Sequence, residues 1–227
     1  MEAHASEATV VRRRSSVTGW SRAAALAGVV FVALIVAGGV LTIGLDQPGA
    51  SSSAHKISTF YADEGKRQAV MASLYLVGLG AFAFLWFLGA LRSALRRAGE
   101  PTPPVAGVAF AAGLLFLAML LAANVSNAIV AAAFNFGNEF KSAPLDPQIV
   151  RLTNGASYWL SVYAAVAGGV FAGAASIAGR AVGVIPRWLA YAGYGVLVVG
   201  FASVLFPVAL PLTLLWVLAA SIVLARR

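Results

Sequence analysis

VAGVAFAAGLLFLAMLLAANVSNAIVAAAF, residues 105–134, runs for thirty positions without one Asp, Glu, Lys, Arg or His. Roughly 20 apolar residues carry a helix across the hydrocarbon core of a bilayer, and an uncharged stretch of about 18 or more is a candidate span. This run therefore sets the class of the molecule. Working outward from it, five further stretches have the same character, at residues 23–45, 68–91, 152–179, 188–206 and 208–225, none with a charged or imidazole side chain. The expected fold is all-α, a polytopic transmembrane helical bundle of six spans over residues 20–227, preceded by a disordered polar tail at residues 1–19.

Composition points the same way. Of the 227 residues 60% are hydrophobic and 11% charged, against roughly 45–50% and about 25% in soluble domains. A soluble core is excluded. There is no cysteine, so disulfides, thiolate metal sites, iron–sulfur ligation and a cysteine nucleophile are excluded too.

The last two stretches have almost no loop between them, and Pro207 and Pro211 supply the break. Proline lacks the amide donor and clashes with the preceding turn, so the chain is expected to turn within residues 206–211. The alternative is five spans with one long, kinked final helix. Charge placement favours six. With the N-terminus inside, eleven arginines (12–14, 22, 92, 96, 97, 180, 187, 226 and 227) lie on the cytoplasmic side, against five basic residues (Lys56, Lys66, Arg67, Lys141, Arg151) outside. That is the positive-inside pattern. Once acids are subtracted, the whole net charge of +8 lies inside, where anionic lipid headgroups are the expected partner. Because no basic face forms, no nucleic-acid partner is expected. Arg12-Arg13-Arg14 ahead of an apolar run also resembles a signal peptide, but the run from Ala23 exceeds the 7–15 residues of such a core and further spans follow it.

In the first outer loop, residues 46–67, Ile57, Phe60 and Tyr61 recur at helical spacing, as in a short helix lying in the membrane interface. Asp146-Pro147 reads as an N-cap followed by proline at the first helical position, so the fourth span starts before the membrane and Arg151 falls one turn in.

The clearest candidate site is polar. Asn124, Asn127, Asn135 and Asn138 keep near one face of the third span. Asn154, Ser157, Tyr158 and Ser161 fall at i, i+3, i+4 and i+7 of the fourth. A short outer loop joins the two spans, so the stripes are placed to meet. Two readings stand: a polar cavity open to the outside that binds a small polar or amphiphilic ligand, or interhelical hydrogen bonds worth about 0.6 kcal/mol each. Gly169 and Gly173 form a GxxxG pair expected to serve close helix packing, with contact to a second copy or a partner subunit as the sharper version.

His55, Asp63, Glu64, Glu139 and Asp146 have suitable chemistry for a metal or an acid/base pair, but no ligand spacing, so no metal and no cofactor are expected. The spans carry no ionisable group for ion coupling, no lysine for retinal and no histidine for haem. Catalysis is therefore not the expected role.

The layout resembles uncharacterised six-helix integral membrane proteins of actinobacteria, including a family defined only as a domain of unknown function. The resemblance rests on Phe60-Tyr61, the run from Phe84 to Arg92, Pro186-Arg187-Trp188-Leu189-Ala190, and Leu212 to Trp216 before Arg226-Arg227. It implies a bacterial plasma-membrane location and carries over no functional residue. The expectation is a non-catalytic binding, accessory or scaffold membrane protein. The alternative is a permease or channel subunit using the polar stripes.

Overall fold

The computed structural model describes residues 2–49, 51–98, 103–137, 145–202 and 206–226, with side chains described from residue 22 onward. Those residues form helices only: α1 (Glu2–Ile43), α2 (Ala54–Ala62), α3 (Glu64–Ala98), α4 (Val105–Phe136), α5 (Pro147–Ala181), α6 (Arg187–Phe201) and α7 (Phe206–Ala225). Five of them, α1, α3, α4, α5 and α7, are long and apolar enough to cross a membrane. In hydrocarbon every backbone donor and acceptor must be satisfied within the segment, which is what a continuous helix does.

Successive helices run antiparallel. Phe31 of α1 meets Gly80 of α3, while Gly28 meets Phe87. Ser126 and Ala123 of α4 meet Thr153 and Ser157 of α5, and Gly169 and Gly193 tie α5 to α6 in the same sense. Trp216 of α7 donates its indole N–H to the Leu189 carbonyl of α6 at 3.1 Å, which sets α6 and α7 as a helical hairpin.

The centre is α5. Two-thirds (67%) of its apolar window is buried, against 22–39% for the other four. Small residues make that possible: Ala164, Ala165, Gly168, Ala172 and Ala175 let neighbouring helices approach closely. Large side chains gather where the helices diverge. Phe84 packs on Phe31, Phe116 and Phe171 at ring separations of 4.6, 5.6 and 5.6 Å, and Phe171 meets Trp216 at 5.5 Å, so each of the five long helices contributes a ring. Phe82, Val198 and Leu215 face outward, as a lipid solvent favours.

Several expectations change. The last connection lies ahead of Pro207, after α6 ends at Phe201, and Pro211 sits inside α7. Proline is tolerated in the first turn of a helix and can be accommodated within an apolar one when neighbours satisfy the freed carbonyl. A single long final helix is excluded by the hairpin. α6, expected at residues 188–206, has only 15 residues and is about 22 Å long, short of the roughly 30 Å core. α1 runs from Glu2 to Ile43. α2 forms where Ile57, Phe60 and Tyr61 predict it, but these residues are 0%, 3% and 4% exposed. They pack on Val70, Met71, Ala131 and Val150, so the apolar face meets protein and not the membrane interface.

Candidate functional site

The site is assembled at the end of the bundle that carries α2. α1 stops at Ile43, and Asp46 adopts a left-handed conformation (φ 48°) that turns the chain back. Asp is among the few L residues that tolerate this region. The following segment is held by a Gly49 N–H donated to Ser52 Oγ at 2.9 Å. It ends at Ser53, whose hydroxyl caps α2 by accepting from the Lys56 N–H at 3.2 Å. Lys56 closes the loop on itself by an ion pair to Asp46 at 2.7 Å, which holds the Asp46 carboxyl below its usual value.

This segment lies across the polar stripes. The stripes themselves join directly: Ser126 Oγ donates to the Thr153 carbonyl, and Ser157 Oγ to the Ala123 carbonyl, both at 2.9 Å. Over that seam, Asn127 Nδ2 donates to Gln47 Oε1 at 3.4 Å, Asn154 Nδ2 to the Pro48 carbonyl, and Arg151 Nη2 to the Ser52 carbonyl at 3.0 Å. Three side chains from α4 and α5 thus fasten the connection between α1 and α2. Four buried polar atoms at the same place have no partner among the described residues: Gln47 Nε2, Asn124 Oδ1, Arg151 Nε and Asn154 Oδ1.

Not every residue of the stripes joins the seam. Asn135 is more than two turns further along α4 and accepts from Arg67 Nε of α3 at 3.4 Å. Arg67 also donates to the Tyr61 carbonyl and lies over the Phe134 ring. Ser161 donates to the Ser157 carbonyl of its own helix at 2.8 Å. Tyr158 is 49% exposed, edge-on to Trp159. Asn138 lies outside the described residues.

Arg151 lies three positions before Asn154, and that i, i+3 spacing was a signal that the two side chains are neighbours on the helix. Gln47 and Pro48 carry no such signal, because their role depends on the path of a loop. Asp63 and Glu64 are employed locally. The Asp63 carboxylate accepts from the Lys66 N–H at 3.1 Å at the start of α3, and Glu64 accepts from Gln68 at 2.9 Å. The hydroxyls of Ser126 and Ser157 are engaged with carbonyls, so the seam is a hydrogen-bonding arrangement with neither serine poised as a nucleophile.

Gly169 and Gly173 serve an internal contact. A Cβ on Gly169 would lie 3.1 Å from the Val196 carbonyl, and one on Gly173 2.9 Å from Leu197, both in α6. α6 occupies the space beside both glycines.

Fold and seam together define a multi-pass helical membrane protein. Compared with family profiles, curated proteins and solved structures, the chain matches none.

Proposed function

We propose that this chain is a non-catalytic accessory or scaffold protein of a bacterial plasma membrane. It crosses six times with both termini cytoplasmic, and the seam between α4 and α5 acts as an external structural lock. The observation that carries this reading is the mutual engagement of the two stripes, with Asn127, Asn154 and Arg151 fastening Gln47, Pro48 and Ser52 over them. Groups bonded to one another and covered by backbone are arranged as interhelical glue.

The six-span topology is supported by the antiparallel sequence of helices, which brings the end of α7 to the same side as the start of α1, and by the arginine distribution. The shortfall of α6, about 8 Å, is of a size that local bilayer thinning accommodates.

A second reading, a permease or channel subunit, is favoured by one observation: the four unpartnered polar atoms at the seam. Cysteine accessibility separates the two, because the chain has no cysteine of its own. Asn127→Cys and Asn154→Cys are expected to resist a membrane-impermeant thiol reagent in intact cells, while exposed Ser51→Cys reacts freely. Labelling of both seam positions, with protection by a solute, refutes the lock and establishes the permease.

A further inference from the structure

At the opposite end of the bundle from α2, α3 stops and α4 begins, and a cavity of about 300 Å³ opens between them. Arg92 and Arg96, one turn apart on α3, line one side; Pro103, Gly107 and Phe110 line the other. That volume is at the lower end of the range for small-molecule sites, about 300–1,000 Å³. Arg92 is set in place by the Phe110 ring, whose centroid is 4.8 Å from the guanidinium carbon. Beside it, Leu88, Leu95, Ala109 and Phe171 pack around a gap of only about 10 Å³, so the cavity ends on close-packed side chains.

The positive charge at this mouth is uncompensated within the described residues. The one ion pair among them joins Lys56 to Asp46, at the far end. Glu100, the acid nearest in sequence, lies outside the described residues. The first turn of α4 has no acidic residue, and Pro104 makes no side-chain cap, so the positive end of that helix adds to the arginines. Arg97 turns back to the Ser93 carbonyl of its own helix at 3.2 Å, which separates it from the pair. The cavity has room at its wall as well: a Cβ on Gly107 would meet nothing within 4 Å.

Two guanidiniums lining one open cavity are matched by a phosphate group. Arginine is the side chain that binds phosphate oxygens through a planar fork, and basic pockets between spans on the cytoplasmic side suit lipid headgroups. We infer that Arg92 and Arg96 form a site for a phosphate-bearing anion, supplied by an anionic phospholipid or by a soluble phosphate. The inference rests on the multi-pass character of the chain and is independent of the seam near α2, so either can fail without the other.

The test is native mass spectrometry of the full chain, purified from bilayers of equal parts phosphatidylcholine and phosphatidylglycerol. The wild type is expected to retain phosphatidylglycerol in preference to phosphatidylcholine. The Arg92→Gln/Arg96→Gln variant is expected to weaken that retention by about fivefold per arginine, roughly thirtyfold for the pair. Gly107→Leu keeps both charges, fills open space and is expected to abolish the preference, so it stands as the test should the double variant fail to fold. Arg226→Gln, at the end of α7 and outside the lining of the cavity, is expected to retain the lipid as the wild type does. If glycerol phosphate added to protein in uncharged micelles displaces the lipid and raises the melting temperature of the wild type but not of Gly107→Leu, the site stands and its ligand is the soluble phosphate. The absence of any preference for the anion, full retention by Gly107→Leu, or an equal loss in Arg226→Gln overturns the inference.

Discussion

Gly193→Ala and Gly195→Ala are the same chemical change two positions apart in α6, and they are expected to move stability in opposite directions. A Cβ on Gly193 would lie 2.0 Å from Ser176 Oγ, 2.8 Å from the Ala172 carbonyl oxygen and 2.8 Å from Trp216 Nε1. The serine hydroxyl can rotate away. The carbonyl belongs to the α5 backbone and cannot, so α6 has to retreat by roughly 0.7 Å or more to reach an ordinary contact distance. That movement also pulls on the Trp216–Leu189 hydrogen bond that joins α6 to α7. Overpacking of this kind costs about 1–3 kcal/mol and the lost indole bond about 1, offset by a helix-propensity gain of about 1 for replacing glycine. The net loss is about 1–3 kcal/mol, or a melting temperature lower by roughly 3–10 °C for a chain of this size. At Gly195 a Cβ meets nothing within 4 Å, so only the propensity gain remains. Thermal unfolding of both variants in one detergent reads the difference. Adding Ser176→Ala to Gly193→Ala is expected to restore only part of the loss, because the Ala172 contact persists. If Gly193→Ala melts at or above the wild type, the close approach of α5 and α6 is not what the packing argument claims.

Two further outcomes concern α2. Burial pushes the Tyr61 phenol up to about 12, so in a spectrophotometric titration one tyrosine is expected to ionise well after an exposed one. The stability associated with its neutral form is complete below the ordinary value of 10.0 and is lost as pH rises through about 12. Tyr61→Phe should remove that alkaline loss, and an unchanged alkaline profile would refute the docked position of the ring. Ile57 is fully buried, and Ile57→Ala is expected to cost about 2–5 kcal/mol, released as local detachment of α2. Tryptic cleavage after Lys56 should then accelerate by more than about tenfold; an unchanged rate would show that α2 is held by other contacts.

How far the sequence could be read depended on the kind of signal. α4 was legible from residues 105–134 alone, because an uncharged run of that length has one stable form in lipid. Asp146-Pro147 marked the start of α5, where the Asp146 carboxylate accepts from the Gln148 N–H at 2.8 Å. The two polar stripes were legible as faces. Which of their members meet was not: Asn135 looks equivalent to Asn127 by periodicity, yet the seam ends before it and Arg67 takes it. Gln47 could not have been found, since it enters the seam only through a turn at Asp46 that no hydrophobic period encodes.

Hydrophobic length and helical period, properties of a segment against its solvent, determined from the sequence alone that this is an all-helical, membrane-crossing chain with polar faces on α4 and α5. Only the tertiary structure decided what those faces touch. Partners distant in the chain are chosen by which surfaces fit, and fit depends on neighbours. The α2 face pattern suits lipid and protein equally, and the packing against Val70, Ala131 and Val150 selects protein. Gly169 and Gly173 permit close approach by any helix, and α6 is the one that arrives. Arg92 and Arg96 read as ordinary cytoplasmic charge until α4 turns back beside them and leaves a cavity between.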